Sequence, residues 1–176
     1  VNYASKTNGK GKSIFDLTSS YLRRKYPNQQ GLHLIHSMDN QESGLCIFAR
    51  SKHAQLKMTE QWNEVELNYY AILQNPLKHK NETFIFESEE KNIKVNYNFI
   101  EAINYSDTTC NLVSVSGLGF SSIECRKAFA QKGNPIVADL TYGAKEFANN
   151  YLKLCCNTIK FRHPFTQKSI KITMNP

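Results

Sequence analysis

The order of apolar and polar positions divides this chain into a helical opening, a strand-rich middle and a closing hairpin. Over residues 13–26, Ile14, Leu17, Tyr21 and Leu22 fall on one face at helical spacing. Ser13 with Asp16 three residues on is a helix-start signal, and Arg23, Arg24 and Lys25 suit the negative end of the helix dipole. Pro27-Asn28 then breaks the pattern. Residues 44–50 make a short apolar run that predicts one buried strand. Ser51 opens a second helix, with Ala54, Leu56, Met58 and Trp62 among its apolar positions.

After that, strands dominate. Residues 66–73, 83–87, 93–104 and 109–116 are rich in aromatic and β-branched side chains. Tyr105-Ser106-Asp107-Thr108 reads as a hairpin loop between the last two. A helix is expected over 121–132, closed by Gly133, and residues 152–162 and 168–174 form a terminal hairpin around His163-Pro164-Phe165-Thr166-Gln167. No repeat, low-complexity linker or internal boundary interrupts the chain. The pattern predicts an α+β fold, a mainly antiparallel mixed sheet with a few flanking helices, and residues 1–176 read as a single domain.

Composition narrows the class. A chain of 176 residues is long enough for one real core and hardly for two. Hydrophobic residues make up 40% and charge is spread along the length, which excludes a disordered chain. The formal net charge of +7 tilts the partner towards a polyanion. Five cysteines, with no Cys-x-x-Cys among them, read as reduced thiols acting as small hydrophobes rather than as a disulfide framework or a zinc site. No apolar run reaches membrane-spanning length and no signal peptide is visible, so a cytoplasmic monomer is expected, with no membrane partner. The first residue is Val rather than Met, which reads as a chain truncated at its N-terminus.

The candidate chemistry sits at His36-Ser37-Met38-Asp39-Asn40-Gln41-Glu42-Ser43-Gly44-Leu45-Cys46-Ile47-Phe48-Ala49. It places one acidic side chain, Asp39, on a turn immediately before an apolar run. Taken alone, such an Asp is a turn residue whose carboxylate accepts from nearby backbone amides. His36 reads as a hydrogen-bonded structural histidine, Tyr69 as strand packing and Arg126, next to Lys127, as a solvated charge. Gly9-Lys10-Gly11-Lys12-Ser13 resembles a phosphate-binding loop only in part, since Lys6 stands where the earlier Gly is required. Basic clusters at Lys6/Lys10/Lys12, Arg23-Arg24-Lys25, Lys78/Lys80 and Lys160/Arg162/Lys168 offer phosphate contacts to a nucleic acid.

The segment around Asp39 resembles the active-site signature of the RluA-type RNA pseudouridine synthases, His-Arg-Leu-Asp-x-x-Thr-Ser-Gly-Leu-Leu-Leu-Phe-Ala. Four further segments follow in the family's order. Leu67-Asn68-Tyr69-Tyr70-Ala71-Ile72 is similar to its Lys-x-Tyr-x-Ala-Leu, and Val95-Asn96-Tyr97-Asn98-Phe99-Ile100-Glu101 to its Thr-x-Tyr-x-Val-Leu-Glu. Lys132-Gly133-Asn134-Pro135-Ile136-Val137-Ala138-Asp139-Leu140-Thr141-Tyr142-Gly143 matches its Ile-Gly-His-Pro-Ile-Val-Gly-Asp-x-x-Tyr-Gly, and Phe161-Arg162-His163-Pro164-Phe165-Thr166 its late Phe-x-His-Pro-x-Thr. The chain departs from the family at Ser37, where an Arg is usual, at Glu42 for Thr, at Leu67 for Lys and at Glu124 for Gln.

The resemblance implies an isomerase that detaches uracil from a uridine of structured ribosomal or transfer RNA, turns it and rejoins it through carbon. It implies Asp39 as the catalytic carboxylate, Arg126 as its ionic partner and Tyr69 as the residue that stacks on the base and moves a proton. It implies no cofactor and no metal. The chain itself reads as having no separate amino-terminal RNA-binding domain, which is a departure from those family members that carry one. Two other readings stay open: a relative that binds RNA without turnover, for instance in ribosome assembly, and a small α+β protein–protein interaction domain.

Overall fold

The computed structural model describes residues 13–28, 31–36, 38–39, 41–88, 91–105, 108–146 and 151–174. The chain opens with α1 (Ile14–Lys25), capped as its sequence predicts. The Ser13 hydroxyl accepts from the Asp16 amide, and the Asp16 carboxylate accepts from the Ser13 amide. The apolar face expected for this helix is not in the core. Leu17 and Tyr21 are about half exposed, and Phe15 touches the body edge-on through Phe48, with ring centroids 6.0 Å apart.

Two-residue strands β1 (His33–Leu34), β2 (Ser43–Gly44) and β3 (Phe48–Ala49) follow, then α2 (Lys52–Glu60) and a 3-10 turn at Trp62–Glu64. The long strands are β4 (Glu66–Leu73), β5 (Asn81–Glu87), β6 (Asn92–Tyr105) and β7 (Thr108–Leu118). Next come α3 (Ser122–Gln131), a 3-10 turn at Leu140–Tyr142, and the hairpin β8 (Leu154–Arg162) and β9 (Ser169–Thr173). The large sheet runs in the order β2-β8-β4-β7-β6-β5, with β9 paired to the far half of β8. Its pairings are antiparallel except β2 with β8, which makes it the mainly antiparallel mixed sheet that the pattern predicts.

Alternation along β4 explains where the core lies. Leu67, Tyr69, Ala71 and Leu73 are buried on one face, while Glu66, Asn68, Tyr70 and Ile72 are half-buried on the other. The first face meets Val95, Tyr97, Val113 and Val115 of the neighbouring strands and Phe129 of α3. Leu67 is fully buried there, so the family's Lys has no counterpart at this point. All five cysteines are free. Burial pushes Cys46 up to about 11 and Cys156 up to about 12, which keeps both as neutral thiols.

The single strand expected over 44–50 is instead two. β2 pairs in parallel with Cys155–Cys156 of the large sheet, whereas β3 pairs with β1 in a separate two-stranded ribbon. The chain thus changes sheet between Leu45, which still bonds to the Cys156 carbonyl, and Ile47, whose carbonyl accepts from Ile35, and Gly44 is the last residue of β2 before the change. Its φ is +118°, and a Cβ added there would lie 2.3 Å from the Cys156 carbonyl oxygen. Gly44→Ala is expected to cost about 2–4 kcal/mol, because both the backbone angle and the approach to β8 are closed to any side chain. Chemical denaturation checks this, and a loss below about 0.5 kcal/mol would contradict it.

Candidate active site

Asp39 heads a tight turn that its own sequence builds. The Glu42 amide donates to the Asp39 carbonyl at 3.1 Å, the Asp39 amide donates to Glu42 Oε2 at 3.0 Å, and the Gln41 amide points at Asp39 Oδ1 at 3.4 Å. The turn reading of this Asp therefore holds for one carboxylate oxygen. The other oxygen, Oδ2, accepts from Arg126 Nη1 at 2.8 Å. Beyond the turn, Ser43 Oγ donates to the Leu154 carbonyl and the Leu45 amide to the Cys156 carbonyl, which ties the turn to β8.

Arg126 comes from α3 and is buried, with 3% of its side chain exposed. The solvated charge expected of it is thus replaced by an enclosed one. Its guanidinium is held by Asp139, whose side chain is 0% exposed: Nε donates to Oδ2 at 2.8 Å and Nη2 to Oδ1 at 2.7 Å. This two-point geometry suits a planar guanidinium and leaves Nη1 aimed at Asp39. The Tyr142 ring stacks against the guanidinium, 4.9 Å from Cζ to its centroid. The bonds to Asp139 and then to Asp39 outweigh burial and raise the arginine's pKa further, so it stays charged.

A third carboxylate stands behind the pair. The Glu42 side chain is 2% exposed, and its Oε1 lies 3.7 Å from Arg126 Nη1 with no hydrogen bond among the described residues. Burial raises the Glu42 pKa, while Ser122, the Asp39 amide and Arg126 pull the other way. One guanidinium facing three carboxylates leaves an excess of negative charge, and Asp39, with 42% of its side chain exposed, is the member that reaches solvent.

Tyr69 lies one layer deeper. Its phenol donates to the Phe120 carbonyl at 3.1 Å, and its ring meets Phe120 edge-on at 6.0 Å. Burial pushes its pKa well above the ordinary phenol value. Together with Glu42, Ser43, Ser122 and His36 it lines a cavity of about 10 Å³ under the Asp39 turn. His36 is not the hydrogen-bonded histidine that the sequence suggests. It stacks on Trp62 at 5.3 Å, and among the described residues neither ring nitrogen meets a donor or acceptor at hydrogen-bond geometry. Burial lowers its pKa to about 4, and the Leu45 backbone beside it offsets a smaller part.

Two departures from the family motif find a physical place. Glu124 caps α3: the Ser121 amide donates to its Oε2 at 2.6 Å, the Glu124 amide donates to Ser121 Oγ, and Lys91 pairs with it at 3.6 Å. Glu42 fills the site's buried corner. Ser37, the third, lies outside the described residues. Asp139, Tyr142 and Glu42 carry no role in the sequence reading. The signal for Asp139 was its place at the end of the buried run Pro135-Ile136-Val137-Ala138, where an acid needs a partner.

Comparison with known proteins decides the lineage. A family model described as RNA pseudouridylate synthase matches residues 3–131. The chain belongs to that family, as a divergent RluA-type member. It is similar to the ribosomal large subunit pseudouridine synthase C of Buchnera aphidicola subsp. Baizongia pistaciae, at 27% identity over 174 residues, covering 86% of this chain and 55% of that protein. The corresponding protein of Buchnera aphidicola subsp. Schizaphis graminum is 25% identical over 178 residues with the same coverage. The chain thus spans about half the length of these curated relatives. In fold it matches human RNA Pseudouridylate Synthase Domain Containing 1, with a TM-score of 0.72 at 19% identity over 90% of this chain and 74% of that one. Human RNA Pseudouridylate Synthase Domain Containing 4 gives 0.70 at 13% identity, over 95% and 80%. Among the described residues no helix is long and apolar enough to cross a membrane.

The buried imidazole makes a pH prediction. His36 binds its proton near pH 4 when folded and near 6.5 when unfolded, so between those values the unfolded chain holds more protons. Stability is full above pH 6.5 and is lost as pH falls through 4, by roughly 3 kcal/mol in all. Denaturation curves across this range are expected to converge for wild type and His36→Gln as pH falls, with wild type losing the extra stability. Parallel curves would contradict the assignment.

Proposed function

We propose that this chain is the catalytic domain of an RNA pseudouridine synthase in which Asp39 is the reacting carboxylate. The observation that carries the reading is the placement of Asp39: half open to solvent and bonded at 2.8 Å to an arginine that Asp139 holds from behind. An ionised carboxylate at the mouth of an otherwise buried charge cluster suits attack on, or stabilisation of, an electron-poor sugar carbon. The glycosidic C1′–N1 bond breaks, the uracil turns within the site, and a C1′–C5 bond replaces it; the C5 proton is then lost and N1 gains one, so the product is an isomer with no net oxidation. Arg126 pairs with Asp39 and aims it. Tyr69, expected to stack on the base and move a proton, is buried with its phenol on the Phe120 carbonyl, so it takes that role only if the Asp39 turn shifts to uncover it. A target uridine inside folded RNA has to leave its stack to reach Asp39, and the chain's net charge of +7 favours the phosphate contacts that hold such a substrate. The relatives named for the large ribosomal subunit make ribosomal RNA the first substrate to try, and transfer RNA the second.

One observation favours a second reading, RNA binding without turnover. The cavity between the Asp39 turn and Tyr69, at about 10 Å³, has room for roughly one water rather than a uracil. Under the catalytic reading the base enters from the exposed side of Asp39, and the turn shifts to admit it.

Unmodified ribosomal and transfer RNA incubated with wild type and with Asp39→Asn, followed by mass-spectrometric counting of pseudouridine, separates the two. New pseudouridine is expected from wild type alone, with Asp39→Asn reduced at least about 1,000-fold, the scale of losing a covalent or charge-stabilising group. Equal product from both would overturn the role of Asp39. No product from either, with RNA still bound, would establish the second reading.

A further inference from the structure

The base of the Asp39 loop opens on its outer side into a groove of about 860 Å³. Ile35 and Ile47, the residues flanking the loop where it leaves β1 and rejoins β3, form part of its floor, together with Met58 of α2. One wall is built of cations and rings. The Arg50 guanidinium lies over the Tyr26 ring, 3.9 Å from Cζ to the ring centroid, and Lys25 sits 5.7 Å from the same ring at the basic end of α1. The turn between β8 and β9 lines the same groove. There Phe165 is 50% exposed, flanked edge-on by His53 at 5.0 Å and approached by Lys57 at 5.9 Å.

Charge selects the occupant. Lys25 and Arg50 line the groove, and among the described residues no Asp or Glu does. The adjoining turn of α1 adds Arg23 and Arg24. The chain's own residues 1–12 carry Lys6, Lys10 and Lys12 and no acid, so they do not complement such a surface. Two partly exposed rings, Tyr26 and Phe165, lining one groove with cations beside them are what an unstacked nucleobase with its phosphates requires: a flat apolar surface for the base and positive charge for the backbone.

We propose that this groove is a second RNA subsite, taking an unpaired nucleotide of a single-stranded segment next to the target stem. The inference rests on the reading of RNA as the substrate. It adds a contact that is separated from Asp39 by the loop itself and shares the β1–β3 ribbon with it. A base seated between Tyr26 and Phe165 presses on Ile35 and Ile47, the two anchors of the catalytic loop. Binding there orders the loop that carries Asp39.

Fluorescence anisotropy with a short labelled oligouridine tests this, using the full chain carrying Asp39→Asn so that no turnover intrudes. Tyr26→Ala and Phe165→Ala are each expected to weaken binding about tenfold, and Arg50→Gln to reduce the slope of log affinity against log salt by about 1. A duplex of the same length, whose bases are already stacked, is expected to bind equally to all variants. Phe165→Leu keeps an apolar side chain without the ring, and with an unchanged thermal midpoint it should weaken binding as Phe165→Ala does. Unchanged oligouridine affinity in the three groove variants overturns the proposal, and so does polyglutamate binding as tightly as RNA, which would make this a site for an acidic peptide. The two readings fail separately. Ring-dependent oligouridine binding without pseudouridine formation by wild type keeps the groove and removes the catalytic assignment. Pseudouridine formation with groove variants binding as wild type does the reverse.

Discussion

The two-point bond between Arg126 and Asp139 is the constraint on which the rest of the site depends. A guanidinium with 3% exposure is costly unless its donors are met, and removing one partner of such a pair leaves an uncompensated buried charge. Asp139 in turn is held by backbone. Val137 donates to the Ile72 carbonyl and Lys153 to the Val137 carbonyl, so the segment before Asp139 is bound between β4 and the approach to β8. Asp139 then closes the next turn, its carbonyl accepting from Tyr142 and Ala144. Arg126 is thereby fixed from the sheet outward, and Asp39 receives the one guanidinium nitrogen left over.

The loop bearing Asp39 is strung between two sheets. β1, before it, belongs to the small ribbon and β2, after it, joins the large sheet, where Gly44 lies against β8 at a backbone angle that only glycine adopts easily. This arrangement explains why a short turn projects a carboxylate over α3 rather than into solvent alone. Glu42 sets its limit. It caps the Asp39 amide and crowds the same guanidinium, so the charge balance at Asp39 depends on a carboxyl that burial holds partly against ionisation.

Much of this was legible in the sequence, and the losses have physical causes. The period-two alternation of 66–73 is strong because β4 is central and buried on one face, and the observed burial follows it residue by residue. The pairing of Asp39 with Arg126 followed from the family likeness. The division of 44–50 into β2 and β3 was not legible, since two-residue strands are defined by partners more than a hundred residues apart for β2 and by the ribbon for β3. The apolar stripe of α1 misled, because periodicity reports a face and not what covers it. Glu124 looked like a lost amide, yet Ser121-Ser122-Ile123-Glu124 is a capping-box spacing in its own right. The burial of Arg126 was hidden because its partner Asp139 is brought in by tertiary structure alone.

The measurement that reaches the centre of this account is the nitrogen-detected magnetic resonance spectrum of the Arg126 guanidinium, assigned by its loss in Arg126→Lys and compared between wild type and Asp139→Asn. In wild type the account predicts resolved Nη signals from a guanidinium whose rotation and proton exchange are slow. In Asp139→Asn it predicts averaged, fast-exchanging signals from a guanidinium no longer held from behind. A wild-type Arg126 that rotates and exchanges as freely as Arg23 or Arg24 would contradict it.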